Sequence, residues 1–329
     1  MKALVYTGPE KLDFIEVSYP TLREDEVLVK IDSVGICGSD MHAFLGHDDR
    51  RPAPLILGHE VAGTIVGGAE DGRRVTVNPL VTCGTCPACM SGRDNLCPDR
   101  QIISMQPREG GFAEFVAIPL SNVVTVPDDY SLEKACMAEP IACGWHAVRL
   151  AQKVLDIEIH AARALVIGGG AIGVGAALSL FGFGATDVTV LEPNEIRRGY
   201  LKKTTDLNVL DPADLDNDAQ FDLVIDGVGF AATRETASNA VRPGGVIMHI
   251  GLGGAEGGLD IRRVTLQEII FGGTYTYTAA DFRATAQAMF DGKLGPLEWY
   301  ETRNLPDGAN AFTDIRQGIV EAPKIILKP

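Results

Sequence analysis

Ala164-Leu165-Val166-Ile167-Gly168-Gly169-Gly170-Ala171-Ile172-Gly173 decides the fold of this 329-residue chain. Four apolar residues run into a G-x-G-x-x-G turn, and a second apolar run, Ile172–Phe183, follows it. A strand before that motif and a helix after it are the context in which it holds a dinucleotide. Gly168 permits the tight turn, Gly170 lets backbone approach a pyrophosphate, and Gly173 lets helix and sheet pack closely, with Ile172 between them in the first helical turn. The helix N-terminus supplies unpaired N–H groups and partial positive charge. Nineteen residues after Gly173, where the next expected strand (Asp187–Leu191) ends, stands Glu192. A carboxylate there suits the ribose hydroxyls of NAD and repels a 2′-phosphate, so NAD is favoured over NADP. Arg197 and Arg198 come next; they either lie over the adenine or meet a phosphate, or they are a solvated helix face.

Outward from this motif the chain falls into three stretches. Around it, from about 145 to 274, strands alternate with helical patterns. The expected strands are Ala164–Ile167, Asp187–Leu191, Leu207–Leu210, Phe221–Ile225, Val246–Ile250 and Ile269–Gly273, with helices at Ile172–Phe183 and Ala232–Val241. That alternation predicts an α/β unit with a doubly wound parallel sheet. Before it, short β-type runs (Ala3–Tyr6, Glu26–Ile31, Gly63–Val66, Arg74–Val77, Phe112–Ile118) are punctuated by Gly, Pro and Asp, predicting an irregular β domain. After 275 come one helix (Ala279–Phe290), a polar loop and a closing strand, Lys324–Leu327. This tail is too small to fold alone and is expected to return to the first domain. The working division is therefore 1–144, 145–274 and 275–329.

Cys83, Cys86, Cys89 and Cys97 crowd one 15-residue window. Four thiolates form a closed tetrahedral cage suited to a structural zinc, which leaves no open position for chemistry. An iron–sulfur cluster is the alternative. Pro98 follows the last cysteine as it does in cluster motifs, but the final gap is seven residues rather than three. The remaining chemistry-bearing pattern is dispersed. Gly35-Ile36-Cys37-Gly38-Ser39-Asp40-Met41-His42 follows one expected strand and Gly58-His59-Glu60 another. Cys37 and His59 suit a second metal, though a lone cysteine and a lone histidine are also ordinary core or loop residues.

Composition sets the outer bounds. The formal charge of −15 argues against nucleic acid and anionic membrane surfaces, which select basic patches. Seven cysteines, an odd number with metal-type spacing, suit a reducing compartment such as the cytoplasm. The segment Met1–Phe14 has no apolar core of the kind a secretory signal needs. Ala164–Thr186 carries no charge, yet its seven glycines suit a buried strand, turn and helix better than a membrane span.

The strings GICGSDMH, LGHEVAG, the four-cysteine lobe, GGFAEF, AEPIACGWHAV, VIGGGAIG, FDLVIDGVG and RPGGVIMHIGL occur in this order along essentially the whole chain. Together they resemble the zinc-dependent medium-chain dehydrogenase/reductase family, in its sorbitol, threonine and polyol dehydrogenase branch. The resemblance implies a co-chaperonin-like β-barrel catalytic domain, built from both chain ends, around a Rossmann domain. It implies two Zn²⁺ per chain, one catalytic and one structural, with NAD as cofactor. Cys37, His59 and Glu139 match the catalytic zinc ligands, and Glu60 is the neighbouring carboxylate that lies beside the zinc and exchanges with water. Ser39 matches the hydroxyl that meets the substrate oxygen, His42 the base that hands its proton to solvent, and Asp40 a carboxylate that orients the ligands. The implied reaction is hydride transfer from a secondary alcohol (sugar alcohol, sugar acid or similar) to NAD⁺, in a homodimer or homotetramer. Amino-alcohol oxidation of the threonine type and a non-catalytic cofactor-binding role are the alternatives.

Some features depart from the branch. Thr276 stands where it often carries arginine, and Gly199–Pro212 is short. The loop Gln101–Gly110, with Arg108, is expected to border the substrate cleft, with Arg108 either engaging a substrate or exposed. Trp145 either walls the pocket or packs in the core.

Overall fold

The computed structural model describes all residues, 1–329. Around the glycine-rich motif, six strands form one all-parallel sheet. Its spatial order is Asn208–Leu210, Asp187–Leu191, Arg163–Ile167, Phe221–Asp226, Val241–His249, Ile270–Gly273. In chain order this is 3-2-1-4-5-6, the doubly wound arrangement, whose crevice lies at the carboxyl ends of the strands. The period-2 alternation of a strand explains the two-faced burial. Ala164 and Val166 join one apolar cluster with Ile141, Val174 and Ala177, while Leu165 and Ile167 join another with Val224 and Ala237. The central strand is therefore covered by helices on both faces, which is why it reads as an unbroken apolar run.

The remaining residues build an irregular β domain. A three-stranded sheet orders Lys11–Glu16, Lys2–Gly8 and Leu55–Ile56. A larger sheet orders Val123–Thr125, Arg74–Val77, Glu60–Val66, Glu26–Gly35, Lys324–Lys328 and Tyr300–Asn304, and Phe115–Pro119 also pairs with Glu26–Gly35. Val29, Val34, Leu57, Phe112, Phe312 and Leu327 share its core. The strand Lys324–Lys328 lies antiparallel to Glu26–Gly35, with Leu327 opposite Val34.

Several elements differ from the sequence expectation. A 14-residue helix, Ala138–Ala151, was not anticipated. Its Pro140 sits in the first turn, where a missing N–H costs nothing, and its Gly144 meets the backbone of Ala176 on the helix Ala171–Gly182. The polar loop after 290 contains the strand Tyr300–Asn304 and the helix Gly308–Gln317, which buries Gly308, Ala311 and Phe312 at helical spacing on one face. Val241 opens a strand instead of closing a helix. No helix is long and apolar enough to cross a membrane.

Candidate active site

Two turns at strand ends bring the dispersed motif together. The strand Glu26–Gly35 delivers Cys37 to the start of a short helix, Gly38–Phe44, and the register of Glu60–Val66 sets Glu60 opposite Gly35. Ligand atoms of Cys37, His59 and Glu60 lie within 4.8 Å of one another. Asp40 is fully buried behind them. Its carboxylate accepts hydrogen bonds from the Cys37 amide at 3.0 Å and the Gly58 amide at 3.2 Å, and one oxygen lies 3.4 Å from His59 Nδ1. Burial opposes ionisation of Asp40, but the charge and hydrogen bond of His59, with Arg51 and the Cys37 amide, hold its pKa at about 2. Burial likewise opposes a charge on His59, yet Asp40 and Cys37 raise its pKa well above the ordinary imidazole range. The pocket thus favours a cation beside the thiol and the imidazole.

Glu139 stands outside this group of three. It sits in the first turn of Ala138–Ala151 and accepts a 2.6 Å hydrogen bond from the Tyr277 hydroxyl. Burial raises its pKa, an effect opposed by His59 and by the Tyr277 bond and reinforced by Glu60. Tyr277 is pushed well above the usual phenol range by burial and by Glu139, so it remains a donor. Cys143 lines the same cleft and stays a thiol, because burial and Glu139 raise its pKa well above normal. Glu60 has a different partner: Lys324 Nζ donates to its Oε1 at 2.6 Å and to the Ile36 carbonyl at 2.8 Å. Glu60 Oε2 is buried and has no hydrogen-bond partner. A buried carboxylate oxygen left unpaired beside a thiol and an imidazole is the donor a metal would take. The sulfur, nitrogen and oxygen set fits zinc.

Four thiols gather at the second cluster. Cys83, Cys86, Cys89 and Cys97 are free cysteines with all sulfurs within 4.8 Å of one another. The Cys83–Cys89 and Cys83–Cys97 sulfur separations are 4.0 and 3.6 Å, close to the edge of about 3.8 Å implied by four Zn–S bonds in a tetrahedron. The amide of Cys86 donates to the Cys83 sulfur and that of Cys89 to the Cys86 sulfur. Backbone and side-chain donors lower the Cys83 pKa to about 6, whereas burial raises those of Cys89 and Cys97, so without a cation the four thiols do not ionise together.

A single cleft of about 680 Å³ joins the Cys37 cluster to the glycine-rich turn. Cys37, Ser39, His42, His59, Glu60 and Glu139 line it, as do Gly168, Gly170, Ile172, Gly173, Glu192 and Arg197. His42 is exposed at its edge. Gly168 has φ +102°, and a Cβ on Gly173 would run into the Gly168 carbonyl. Nothing lies within 4 Å of the Cβ position of Gly170, and no side chain caps the helix it opens. That open side, beside uncapped amides, fits a pyrophosphate. Glu192 is buried and accepts from the amides of Gly169 at 2.9 Å and Asn194 at 2.8 Å. Arg197 Nη1 lies 3.6 Å from Glu192 Oε2, and its Nε has no partner. Arg198 turns away to the Glu192 and Pro193 carbonyls and to Asp211.

One expectation about the cleft changes, and one open alternative closes. The loop Gln101–Gly110 contributes no lining residue. Its Arg108 is neither exposed nor free for substrate; it is buried, 2.7 Å from Glu26 and bonded to Gln101. Trp145 packs on Phe183, with ring centroids 4.5 Å apart, and does not line the cleft. Sequence reasoning missed Lys324, whose one signal is a lysine opening the apolar run Ile325–Leu327. It also missed Arg51, which is buried and donates to the carbonyls of Ser39 and Ser104.

Comparison with known proteins places this geometry. Residues 23–128 match the family described as "Alcohol dehydrogenase GroES-like domain" and residues 171–291 that described as "Zinc-binding dehydrogenase". The chain belongs to the zinc-dependent medium-chain dehydrogenase/reductase family, in its polyol dehydrogenase branch, and is an oxidoreductase of secondary alcohols. It is 33% identical over 309 residues to an L-galactonate-5-dehydrogenase of Escherichia coli strain K12, covering 89% of this chain and 88% of the relative. It is also 33% identical to a sorbitol dehydrogenase of Bacillus subtilis strain 168 over 270 residues, 77% of this chain and 75% of that one. An alcohol dehydrogenase of Escherichia coli CFT073, solved with NADH, superposes with a TM-score of 0.88 at 25% identity, covering 100% of this chain and 99% of the other.

Proposed function

We propose that this protein uses NAD⁺ to oxidise a secondary hydroxyl of a sugar alcohol or sugar acid, with Cys37, His59 and Glu60 holding the catalytic zinc. One observation carries the reading: the three-donor cluster, with its unpaired Glu60 oxygen, opens into the same cleft as the dinucleotide turn. When bound, zinc supplies Lewis acidity toward a hydroxyl, and the nicotinamide ring accepts the hydride. The chain's own residues do the rest. Asp40 fixes the His59 ring and the Cys37 backbone, so both donors face one point. Lys324 holds Glu60 in place through one oxygen and leaves the other free. Ser39 lines the cleft where it can take the substrate's proton, and His42, exposed at the cleft edge, is placed to release a proton to solvent, with the cofactor ribose as the link between them when it is bound. Glu139, tied to Tyr277, is the carboxylate in reserve for the metal. Cys83, Cys86, Cys89 and Cys97 hold the second, structural zinc.

Glu192 supports NAD over NADP, because its buried carboxylate lies beside the turn that would receive the ribose. Apart from histidines, the cations lining the cleft are Lys324, paired to Glu60, and Arg197, beside Glu192. Neither is free for an amino-acid carboxylate near the metal cluster, which favours a polyol over a threonine-type substrate. Residues 1–144 and 275–329 are taken as the catalytic unit and 145–274 as the cofactor unit, with the helix Ala138–Ala151 spanning their junction. The edge strand Ile270–Gly273 leaves Ile270 and Phe271 exposed, near the exposed Ile261 and Leu266, which supports a homo-oligomer closed along that edge. A panel of sugar alcohols and sugar acids, followed by NADH absorbance with parallel zinc analysis, tests the function. Turnover with two zinc ions per chain is expected. Zinc only in the four-cysteine lobe, with no turnover, would leave a cofactor-binding role.

A further inference from the structure

The four-cysteine lobe touches a distant part of the chain. Between Cys89 and Cys97 the backbone makes a short 3-10 turn, Asp94–Leu96. Asn95, 3% exposed, donates from Nδ2 to the Tyr275 carbonyl at 2.8 Å. Asp94 accepts from the Ala279 amide at 3.0 and 3.3 Å through its two oxygens. Arg100, three residues past Cys97, donates to that cysteine's carbonyl and to the Tyr275 hydroxyl at 3.2 Å. Its guanidinium also lies 4.9 Å from the Tyr275 ring centroid.

The segment these residues hold is strained. Thr276 has φ +46°. A β-branched side chain is a true outlier in that region, because Cβ crowds the backbone. Such a conformation costs on the order of 1–3 kcal/mol and persists only where the surroundings over-determine it. Here the surroundings are visible. The lobe grips Tyr275 and Ala279 on one side, and Glu139 takes the Tyr277 hydroxyl on the other. Tyr275 and Thr276 line the cleft that holds the Cys37 cluster. The Thr276 hydroxyl is buried and unpaired, so nothing local favours this conformation in its own right.

We infer that Asp94 and Asn95 are positioning residues, and that the four-cysteine lobe sets the shape of the substrate wall in addition to stabilising the fold. Cys89 and Cys97 end the loop with their sulfurs gathered beside Cys83, where they would share one zinc, and the loop so closed presents Asp94 and Asn95 at fixed positions. The wall residues Tyr275 and Thr276 follow. This inference rests on the polyol dehydrogenase reading for its substrate, but its structural half does not.

Asn95→Asp keeps the volume and removes the donor, and Asn95→Ala removes the side chain. Each variant, as the full chain, is compared with the wild type for zinc content, amide hydrogen exchange across 274–279, and KM against kcat for a polyol the wild type oxidises. With zinc content retained, the expected result is exchange at 274–279 and KM both raised roughly five- to tenfold, the scale of one lost buried hydrogen bond, and kcat within about twofold. Unchanged exchange would overturn the inference, because the lobe would then not hold the segment. Faster exchange with unchanged KM would also overturn it, because the segment would then not shape the site. If the wild type oxidises no polyol, the functional reading fails separately, and the exchange comparison still decides whether the lobe holds the wall.

Discussion

Replacing Lys324 with methionine separates the ion pair from the metal site. The ammonium lies 2.6 Å from Glu60 Oε1, and both side chains are almost wholly buried. At an effective dielectric near 20 that separation corresponds to about 6 kcal/mol of attraction, much of it offset by desolvation. Removing one partner of such a pair costs about 3–5 kcal/mol, because the other charge stays buried. Glu60 would then carry a negative charge with neither oxygen paired, since Oε2 already lacks a donor. In the zinc-free protein the full loss should appear as reduced resistance to urea. In the loaded protein the metal compensates Glu60, so the loss should be smaller. By linkage the difference must appear as tighter zinc binding. If the metal takes over half of the penalty, zinc affinity rises about 10- to 70-fold. Competition with a calibrated chelator measures that ratio, and urea unfolding with and without zinc closes the cycle. Unchanged or weaker zinc binding in the variant would refute the assignment of Glu60 as a metal donor.

Three further outcomes are expected. Glu60→Gln should lower zinc content toward one ion per chain, whereas Glu139→Gln should keep both, as measured by metal analysis after dialysis; the reverse pattern would make Glu139 the donor. Glu192→Ala should shift the ratio of kcat/KM for NAD⁺ over NADP⁺ by roughly tenfold or more toward NADP⁺, the scale of one charged hydrogen bond; an unchanged ratio would mean Glu192 does not read the ribose. Asp281 titrates below the usual carboxylate range: burial opposes this, but hydrogen bonds from His146, Arg149 and Thr278 outweigh it. A depressed folded pKa contributes stability that is present above the unfolded value and lost as pH falls below about 4. The stability gap between wild type and Asp281→Asn should therefore be large near neutral pH and shrink in acid, as thermal unfolding across pH would show. A constant gap would contradict the ionic account.

The doubly wound sheet was legible because its signal is local. Ala164–Ile167 and the glycines after it declare strand, turn and helix within one short window, and burial on both faces leaves no alternation to confuse the reading. The cysteine lobe was legible for the same reason. The helix Ala138–Ala151 was obscured by Pro140 and Gly144, two residues that argue against helices except in the positions they occupy here. The helix Gly308–Gln317 carries its buried residues at helical spacing, but its glycine, asparagine, threonine and aspartate are weak helix formers and argue for a loop in so short a run. At the site, the structure brings Cys37, Ser39, Asp40 and His59 into one neighbourhood, because their spacing is local to two turns. The resemblance put Glu139 ahead of Glu60, and the contacts that favour the opposite order come from Lys324 and Tyr277, far away in sequence. Arg108 went wrong because its partner, Glu26, is separated from it by 82 positions, and a buried charge cannot be seen without its counter-charge.

The pairing of Lys324–Lys328 with Glu26–Gly35 has a consequence for how the protein is made. Lys324 and its carbonyl partner Ile36 stand 288 residues apart. At about 5–20 residues per second, a ribosome needs roughly 15–60 s to cover that interval. Throughout that wait Glu60 has no ammonium to meet, and one side of its sheet stays open to whatever strand passes by. A nascent chain of this design has reason to meet zinc or a chaperone early, and its N-terminal third should be the part that aggregates when translation stalls before the closing strand emerges.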